Sequence, residues 1–210
     1  MDDASDSIKV VLVGETGVGK TSIIMQFVDE SFQKDQQSTT GGTFSINTGN
    51  CDNGKTIKFE IWDTAGQEKY RSLTKLFYKD VNAAVMVYDI TRKQTFEELK
   101  NYWTEQIKEN GLSDTFIAIA ANKSDLSDQE QVEEEDARAY AKSIDAIFMS
   151  TSAKNAQTVQ NLFTELGKKF MKCGNITYPT EEEPDQTPGK KRSDTQKLGT
   201  GGQKKKKGFC

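Results

Sequence analysis

The segment GETGVGKT at residues 14–21 has the spacing of a phosphate-binding loop, in which glycines precede a lysine and a hydroxyl residue. An apolar run at 8–14 leads into it, and apolar residues at helical spacing follow it at 22–30. Glycines let backbone N–H groups converge on phosphate oxygens, and a helix N-terminus adds a favourable dipole. We therefore expect Lys20 to bridge the β- and γ-phosphates of a nucleotide and Thr21 to ligate Mg²⁺. The loop residues expected to contact the nucleotide are Glu15, Thr16, Gly17, Val18, Gly19, Lys20, Thr21 and Ser22.

The tetrapeptide NKSD at 122–125 bears on the identity of the base. It follows a buried-strand candidate at 115–121, so it is expected at the carboxyl edge of a sheet, where ligands bind in open α/β folds. Asp125 can accept two hydrogen bonds from the N1–H and exocyclic amine of guanine, whereas adenine would leave the carboxylate desolvated and unpaired. Asn122 can tie this loop to the phosphate loop, and the Lys123 stem can lie over the purine ring. Alone the pattern also fits an Asx-rich turn, but two strands after a phosphate loop it favours guanine.

The tetrapeptide TSAK at 151–154 follows a short strand candidate, IFMS. By itself it carries almost no information. Beside NKSD, it is expected to complete the base site with Ser152, the backbone N–H of Ala153 and the packing of Lys154 against the base.

The segment WDTAGQE at 62–68 has the residues of a loop that senses the γ-phosphate. Asp63 would hold Mg²⁺ through water, and the Gly66 N–H would bond the γ-phosphate. Gln67 would orient the attacking water, because phosphoryl transfer depends on positioning and electrostatics and needs no charged base. We therefore predict Lys20, Gly66 and Gln67 as the catalytic residues.

Strand-like apolar blocks alternate with helical patterns along residues 8–172, which predicts right-handed crossovers and helices on both faces of a sheet. The expected fold class is α/β, a P-loop NTPase of three α/β/α layers with a six-stranded, mostly parallel sheet. One antiparallel strand is expected from the hairpin at 44–62, which contains the turn signal Asn53-Gly54. Residues 173–210 lack the pattern and are rich in Pro, Gly, Thr, Glu and Lys, which predicts a flexible tail.

Composition excludes several classes of function. The chain of 210 residues contains no histidine, which removes Ser-His-Asp and Cys-His nucleophiles and histidine metal sites. Three widely spaced cysteines, an odd number, do not suggest a disulfide framework. From Gly189 onward there are 8 basic residues and 1 acid, so the body carries 20 − 31 = −11 and is not expected to bind nucleic acid. The acidic start has no signal-peptide pattern, and we expect a cytoplasmic chain.

Four ordered motifs now give residues 8–172 a resemblance to the Ras superfamily of small GTPases. Within it the chain resembles the Rab family, through KFEIW at 58–62, KYRSLT at 69–74, FYKDV at 77–81 and MVYDIT at 86–91. The first two of these segments are most similar to the branch that works on early endosomes.

The resemblance implies a monomeric GTP/GDP switch that hydrolyses GTP to GDP and phosphate with Mg²⁺ and regulates vesicle traffic. Expected partners are an exchange factor, a GTPase-activating protein, a GDP-dissociation inhibitor or escort protein, and effectors. These would bind through switch segments 33–44 and 63–78. The switch would act on the cytosolic face of an internal membrane, with the endosome favoured. Two alternatives remain: a scaffold that binds GTP without turnover, and an ATP kinase, which would require Asp125 to face adenine.

The resemblance also assigns a switch threonine. By its spacing to GGTF, Thr39 matches the residue that closes over Mg²⁺ and the γ-phosphate, although the neighbouring Thr40 leaves the register open. The expected metal ligands are Thr21, Thr39 and Asp63. The side chain of Thr16 would crowd an incoming arginine finger, which predicts slow intrinsic hydrolysis.

Three aromatic residues near the switches allow two interpretations. Phe59, Trp62 and Tyr78 are either ordinary core or a partly exposed effector surface.

The C-terminal sequence KKKKGFC ends in a lone thiol, Cys210, after four lysines at 204–207. For a Rab-like switch we expect prenylation of Cys210 by one geranylgeranyl chain, with the lysines as the second membrane signal. The alternative is an unmodified tail that binds anionic membranes by charge alone.

Overall fold

One mixed sheet with helices on both faces forms the body of the chain. The computed structural model describes residues 6–34, 36–39, 42–50, 56–64, 78, 80–111 and 115–173, so the predicted turn at Asn53-Gly54 lies outside the described residues. The strands are β1 Ser7–Val13, β2 Gly42–Asn50, β3 Thr56–Thr64, β4 Ala83–Asp89, β5 Phe116–Asn122 and β6 Ile147–Ser150. The helices are α1 Lys20–Asp29, α2 at 93–110, α3 Glu134–Ser143 and α4 Ala156–Cys173, with a 3₁₀ segment Ser124–Gln129 after β5.

The strand order is β2-β3-β1-β4-β5-β6. Strands β2 and β3 pair antiparallel, and the remaining neighbours pair parallel. The predicted six-stranded, mostly parallel sheet with one antiparallel strand is therefore confirmed. Strand β2 begins at Gly42 and is longer than the block that the sequence indicated, because its nine residues pair along the whole of β3.

Side chains of β1 alternate between two hydrophobic clusters, one on each face of the sheet. Val10 and Leu12 pack with residues of α1 and α4, whereas Val11 and Val13 pack with residues of α2 and α3. Both faces are covered, which explains why the parallel strands read as continuous apolar runs. This arrangement leaves the ends of the strands, rather than the faces, for a ligand.

Helix α2 contains a π-helical turn at Leu99–Trp103 that the helical spacing does not predict. The buried Thr104 hydroxyl donates to the Leu99 carbonyl over 2.9 Å and lies 2.8 Å from the Tyr140 hydroxyl. The Leu99 carbonyl also accepts from the Thr104 backbone N–H, so the hydroxyl adds a second bond at the widened turn. The predicted apolar face of this helix is nevertheless buried, as Phe96, Leu99, Trp103 and Ile107 all lie in the core.

One prediction concerns a part of the chain that lies mostly beyond the described residues. Helix α4 ends at Cys173, and the predicted tail, residues 173–210, lies outside the described range from residue 174 onward. Among the described helices, none combines the length and the apolar character needed to cross a bilayer.

Candidate functional site

A cavity of about 210 Å³ opens at the carboxyl edge of the sheet. It lies where the loops after β1, β5 and β6 meet the segment that follows α1. Most of the predicted nucleotide-binding residues line it: Thr16, Gly17, Gly19, Lys20, Thr21, Ser22, Thr39, Asn122, Lys123, Asp125, Ala153 and Lys154. Glu15, Asp63 and Ser152 do not line the cavity but bond to residues that do. Val18 is buried in the core and contributes through its backbone.

The side chain of Lys20 reaches back to the first residues of the phosphate loop. Lys20 Nζ donates to the Gly14 carbonyl over 2.8 Å and to the Glu15 carbonyl over 3.0 Å. Burial lowers the pKa of Lys20 to about 8, although the nearby Asp63 and Glu15 carboxylates oppose this shift. A bound phosphate group would favour the charged ammonium. Gly14 has φ +140°, and a Cβ there would overlap the Val87 carbonyl, so this position requires glycine.

Three oxygen-bearing side chains meet beside Lys20. Thr21 Oγ1 lies 2.6 Å from Asp63 Oδ2 and 2.7 Å from Thr39 Oγ1. Asp63 is buried, and its Oδ1 has no hydrogen-bond partner among the described residues. Burial raises the pKa of Asp63, against the hydrogen bond from Thr21 and the charge of Lys20. A carboxylate with an unused oxygen and two hydroxyls is a hard-oxygen set, which fits Mg²⁺.

The NKSD and TSAK loops form the other half of the cavity. Asn122 Nδ2 donates to the Val18 carbonyl over 2.7 Å, which ties the two halves together. Asp125 accepts at Oδ1 from Ser152 Oγ and at Oδ2 from Lys154 Nζ, both over 2.6 Å. Burial would raise the pKa of Asp125, but these two bonds outweigh it and hold the pKa below its usual value. A carboxylate oriented in this way is suited to accept hydrogen bonds from the edge of a base.

Comparison with known proteins identifies the family of this chain. Residues 9–172, most of the chain, match the sequence model of the Ras family. The chain belongs to the Ras family. It is similar to the Ras-related protein Rab-22A of Mus musculus and of Homo sapiens, with 46% identity over 163 residues, or 78% of this chain and 83% of each relative. It is also similar to the Ras-related protein Rab-31 of Mus musculus, with 45% identity over 167 residues, or 80% of this chain and 85% of the relative.

These relatives place this Ras-family chain among the Rab small GTPases and confirm the resemblance drawn from its motifs. The protein is therefore a GTP-binding switch that hydrolyses GTP. The residues that perform each step remain predictions. Gly66 and Gln67 lie outside the described residues, as does Thr40, the alternative to Thr39.

One residue of the Rab GTPase that sequence reasoning missed is Phe32. Its side chain is 39% exposed, lines the cavity and lies 5.9 Å, ring centroid to Nζ, from Lys154. An exposed aromatic ring at the mouth of a cavity is suited to cover a purine. The available signal was a single aromatic residue between the end of α1 and the polar segment 33–39.

The structure separates the two interpretations of the aromatic residues Phe59, Trp62 and Tyr78. Phe59 and Tyr78 are buried, so the core interpretation holds for both. Phe59 packs edge-on against Phe27 on the face of the sheet that α1 and α4 cover, with 5.4 Å between ring centroids. Trp62 is half-buried, and its ring centroid lies 4.9 Å from that of Phe44, which is exposed. The exposed aromatic position is therefore Phe44 on β2.

Proposed function

We propose that this Rab GTPase binds guanine nucleotide with Mg²⁺ in the cavity at the carboxyl edge, hydrolyses GTP there, and recruits effectors in its GTP state to regulate vesicle traffic. The observation that carries the proposal is the convergence of three groups on one cavity. These groups are the buried Lys20, the cluster of Thr21, Thr39 and Asp63, and the oriented carboxylate of Asp125.

The chain's own residues bind and position the reacting phosphates. Lys20 neutralises charge on the β- and γ-phosphates, and the phosphate-loop N–H groups hold their oxygens. Thr21 and Thr39 would hold Mg²⁺ directly and Asp63 would hold it through water, and the ion would supply further positive charge to the phosphates. Gln67 orients the attacking water, and the Gly66 N–H fixes the γ-phosphate. The water adds to the γ-phosphorus, the bond to the bridging oxygen breaks, and the products are GDP and inorganic phosphate.

Base selectivity comes from Asp125. Ser152 holds one carboxylate oxygen and Lys154 the other, so the carboxylate plane is fixed before a base arrives. Guanine offers an N1–H and an exocyclic amine at that edge, whereas adenine offers an unprotonated N1. The Ala153 N–H and the Lys123 stem contact the remainder of the base, and Phe32 covers it from the open side.

The switch segments 33–44 and 63–78 transmit the state of the phosphate to partners. Thr39 and Asp63 stand at the beginning of this connection, because both contact Thr21 in the cavity. We place the effector surface at Phe44 and Ile46, which are 44% and 48% exposed, with Trp62 beside them. An exchange factor, a GTPase-activating protein and a GDP-dissociation inhibitor or escort protein would engage the same segments of the monomer.

Membrane attachment is assigned to the tail. Residues 8–172 form the GTPase domain, and 173–210 form the tail that carries the lysines and Cys210. One geranylgeranyl chain gives only marginal binding, and a run of four lysines adds about 1 kcal/mol each near an anionic leaflet. The KFEIW and KYRSLT segments favour an endosomal membrane. Mass spectrometry of the C-terminal peptide from the membrane fraction tests the modification, and an unmodified Cys210 there contradicts it.

Nucleotide competition and hydrolysis test the proposal. We expect excess GTP, but not excess ATP, to displace a fluorescent GDP from the protein in Mg²⁺ buffer, since only guanine pairs with Asp125. Displacement by both nucleotides would contradict the assignment of the base site. Single-turnover hydrolysis of GTP should slow in Gln67→Leu. If the two rates are equal, Gln67 is not the residue that positions water, and absence of hydrolysis in both proteins would favour a GTP-binding scaffold.

A further inference from the structure

A buried carboxylate behind the cavity joins its two halves. Asp89, the last residue of β4, is 1% exposed. Its Oδ2 lies 2.7 Å from Lys123 Nζ and 3.0 Å from Arg92 Nε. Its Oδ1 accepts from the Thr91 amide over 3.0 Å and the Thr91 hydroxyl over 2.7 Å. Both oxygens are therefore occupied, and two of the four donors are cations.

The charge of Asp89 is well stabilised in this setting. Burial would raise its pKa, but the bonds from Lys123 and Thr91 outweigh burial and lower it. Removal of one partner of a buried charge is strongly destabilising, because it leaves that charge incompletely compensated. The group is therefore suited to hold other residues in place rather than to exchange protons.

The two cations reach opposite parts of the cavity. Lys123 belongs to the NKSD loop, lines the cavity, and has a left-handed backbone with φ 67°. Arg92 extends past Asp89, and its Nη2 donates to the Thr16 carbonyl of the phosphate loop over 3.0 Å. The planar guanidinium spans both acceptors at once, with Nε on Asp89 and Nη2 on Thr16.

We propose that Asp89 is a positioning residue for nucleotide release, which holds Lys123 at the base side and, through Arg92, holds the phosphate loop at Thr16. Both halves of the cavity are thereby fixed to one carboxylate at the end of β4, and loosening either bond speeds the departure of GDP. This inference rests on the proposed function, because it assumes that the cavity binds GDP.

A merely structural role for Asp89 makes a different prediction. The Asp89 backbone also bonds the Thr95 hydroxyl, so the carboxylate could serve only the turn between β4 and α2. In that case its loss would lower the stability of the fold, and loss of Arg92, whose side chain is 46% exposed, would leave GDP release unchanged. Coupling between the two residues in the release rate separates the alternatives.

The experiment measures the release rate of fluorescent GDP from the full chain in Mg²⁺ buffer. The variants are Arg92→Gln, Asp89→Asn, the double variant and the matched control Lys93→Gln, which removes the neighbouring positive charge outside this cluster. We expect release to be about fivefold faster in Arg92→Gln, from loss of the bond to the phosphate loop, and about thirtyfold faster in Asp89→Asn. Lys93→Gln should stay within about twofold of the wild type, as is usual for an exposed charge.

The double variant gives the deciding result. If Asp89 holds the phosphate loop through Arg92, the double variant releases GDP no faster than Asp89→Asn alone. Multiplied effects, or wild-type release from Arg92→Gln, would overturn the inference. The Arg92→Gln and Lys93→Gln arms keep the test valid even if Asp89→Asn fails to fold. A wild-type chain that does not bind GDP would refute the proposed function instead, so the two failures are distinguishable.

Discussion

Replacement of Asn122 by alanine tests the bond that ties the base loop to the phosphate loop, and it also removes a longer contact of 3.4 Å from the Thr151 hydroxyl to Asn122 Oδ1. Its Nδ2 donates to the Val18 carbonyl over 2.7 Å, and both residues are buried, with Asn122 1% and Val18 0% exposed. The truncation removes this bond and leaves a carbonyl that water cannot reach easily. A lost net hydrogen bond plus an unsatisfied buried acceptor costs about 2 kcal/mol. If the loops are arranged for the nucleotide, GDP affinity should fall roughly thirtyfold, since each 1.4 kcal/mol is tenfold.

The chain offers a matched control at the opposite end of the sheet. Asn82 immediately precedes β4, is also buried, and its Oδ1 accepts from the Lys9 amide over 2.7 Å. Asn82→Ala removes a side-chain bond of the same length, but near the amino ends of the strands. A strand of seven residues separates the two ends by roughly 20 Å. We therefore expect the two variants to lose similar stability and to differ in GDP affinity.

Two measurements complete this prediction. Urea unfolding of the nucleotide-free proteins reports the stability loss, and calorimetric titration with GDP reports the affinity. Equal loss of affinity in Asn82→Ala and Asn122→Ala would show that the effect is general destabilisation. An Asn122→Ala protein that binds GDP within twofold of the wild type would refute the claim that this bond arranges the cavity.

Three further predictions follow from the same geometry. Ser152→Ala removes a charge-assisted bond to the partly exposed Asp125, so GDP affinity should fall about fivefold and inosine diphosphate should compete better. Displacement of fluorescent GDP measures both effects, and an unchanged preference for guanine would contradict this role of Ser152. Phe32→Ala uncovers the cavity mouth and should speed GDP release severalfold in stopped-flow measurements, whereas Phe32→Trp keeps an aromatic ring there and should not. Equal release rates in the two variants would contradict a covering role for Phe32. Thr104→Val removes the hydroxyl bonds at the π-helical turn and should lower the free energy of unfolding by about 2 kcal/mol, without change in GDP affinity. Urea titration measures the stability, and an unaltered value would mean that the turn does not depend on this hydroxyl.

The sheet and most of the cavity were predictable from local sequence. Buried parallel strands read as apolar runs because both faces are covered, and the motifs follow those runs directly, as Gly14 follows β1 and Lys123 follows β5. Since carboxyl ends of parallel strands lie at one edge, motifs that follow strands must meet there. This is why Lys20 and Asp125 could be assigned to one site from spacing alone.

Other features depend on neighbours that no local pattern reveals. Asp89 reads as a polar residue ending a strand, and only the fold shows that Lys123 and Arg92 converge on its oxygens. Phe59 and Trp62 are three residues apart on β3, so their side chains lie on opposite faces of the sheet, where Phe59 packs with Phe27 and Trp62 packs against the other cluster. At the π-helical turn in α2, the Thr104 hydroxyl contacts both the Leu99 carbonyl and the Tyr140 hydroxyl, and Tyr140 lies 36 residues further along the chain.

The position of β6 has a consequence for the newly made chain. This strand has four residues, lies at the edge of the sheet, and is followed by Ser152, which orients the carboxylate of Asp125. Phosphate-loop residues leave the ribosome first, but at about 5–20 residues per second the base-binding residues appear several seconds later. The guanine site is therefore assembled only when nearly the whole domain has been synthesised. Because a ligand that binds only the folded state stabilises it, GTP in the cell would act on the completed domain and not on its earlier fragments.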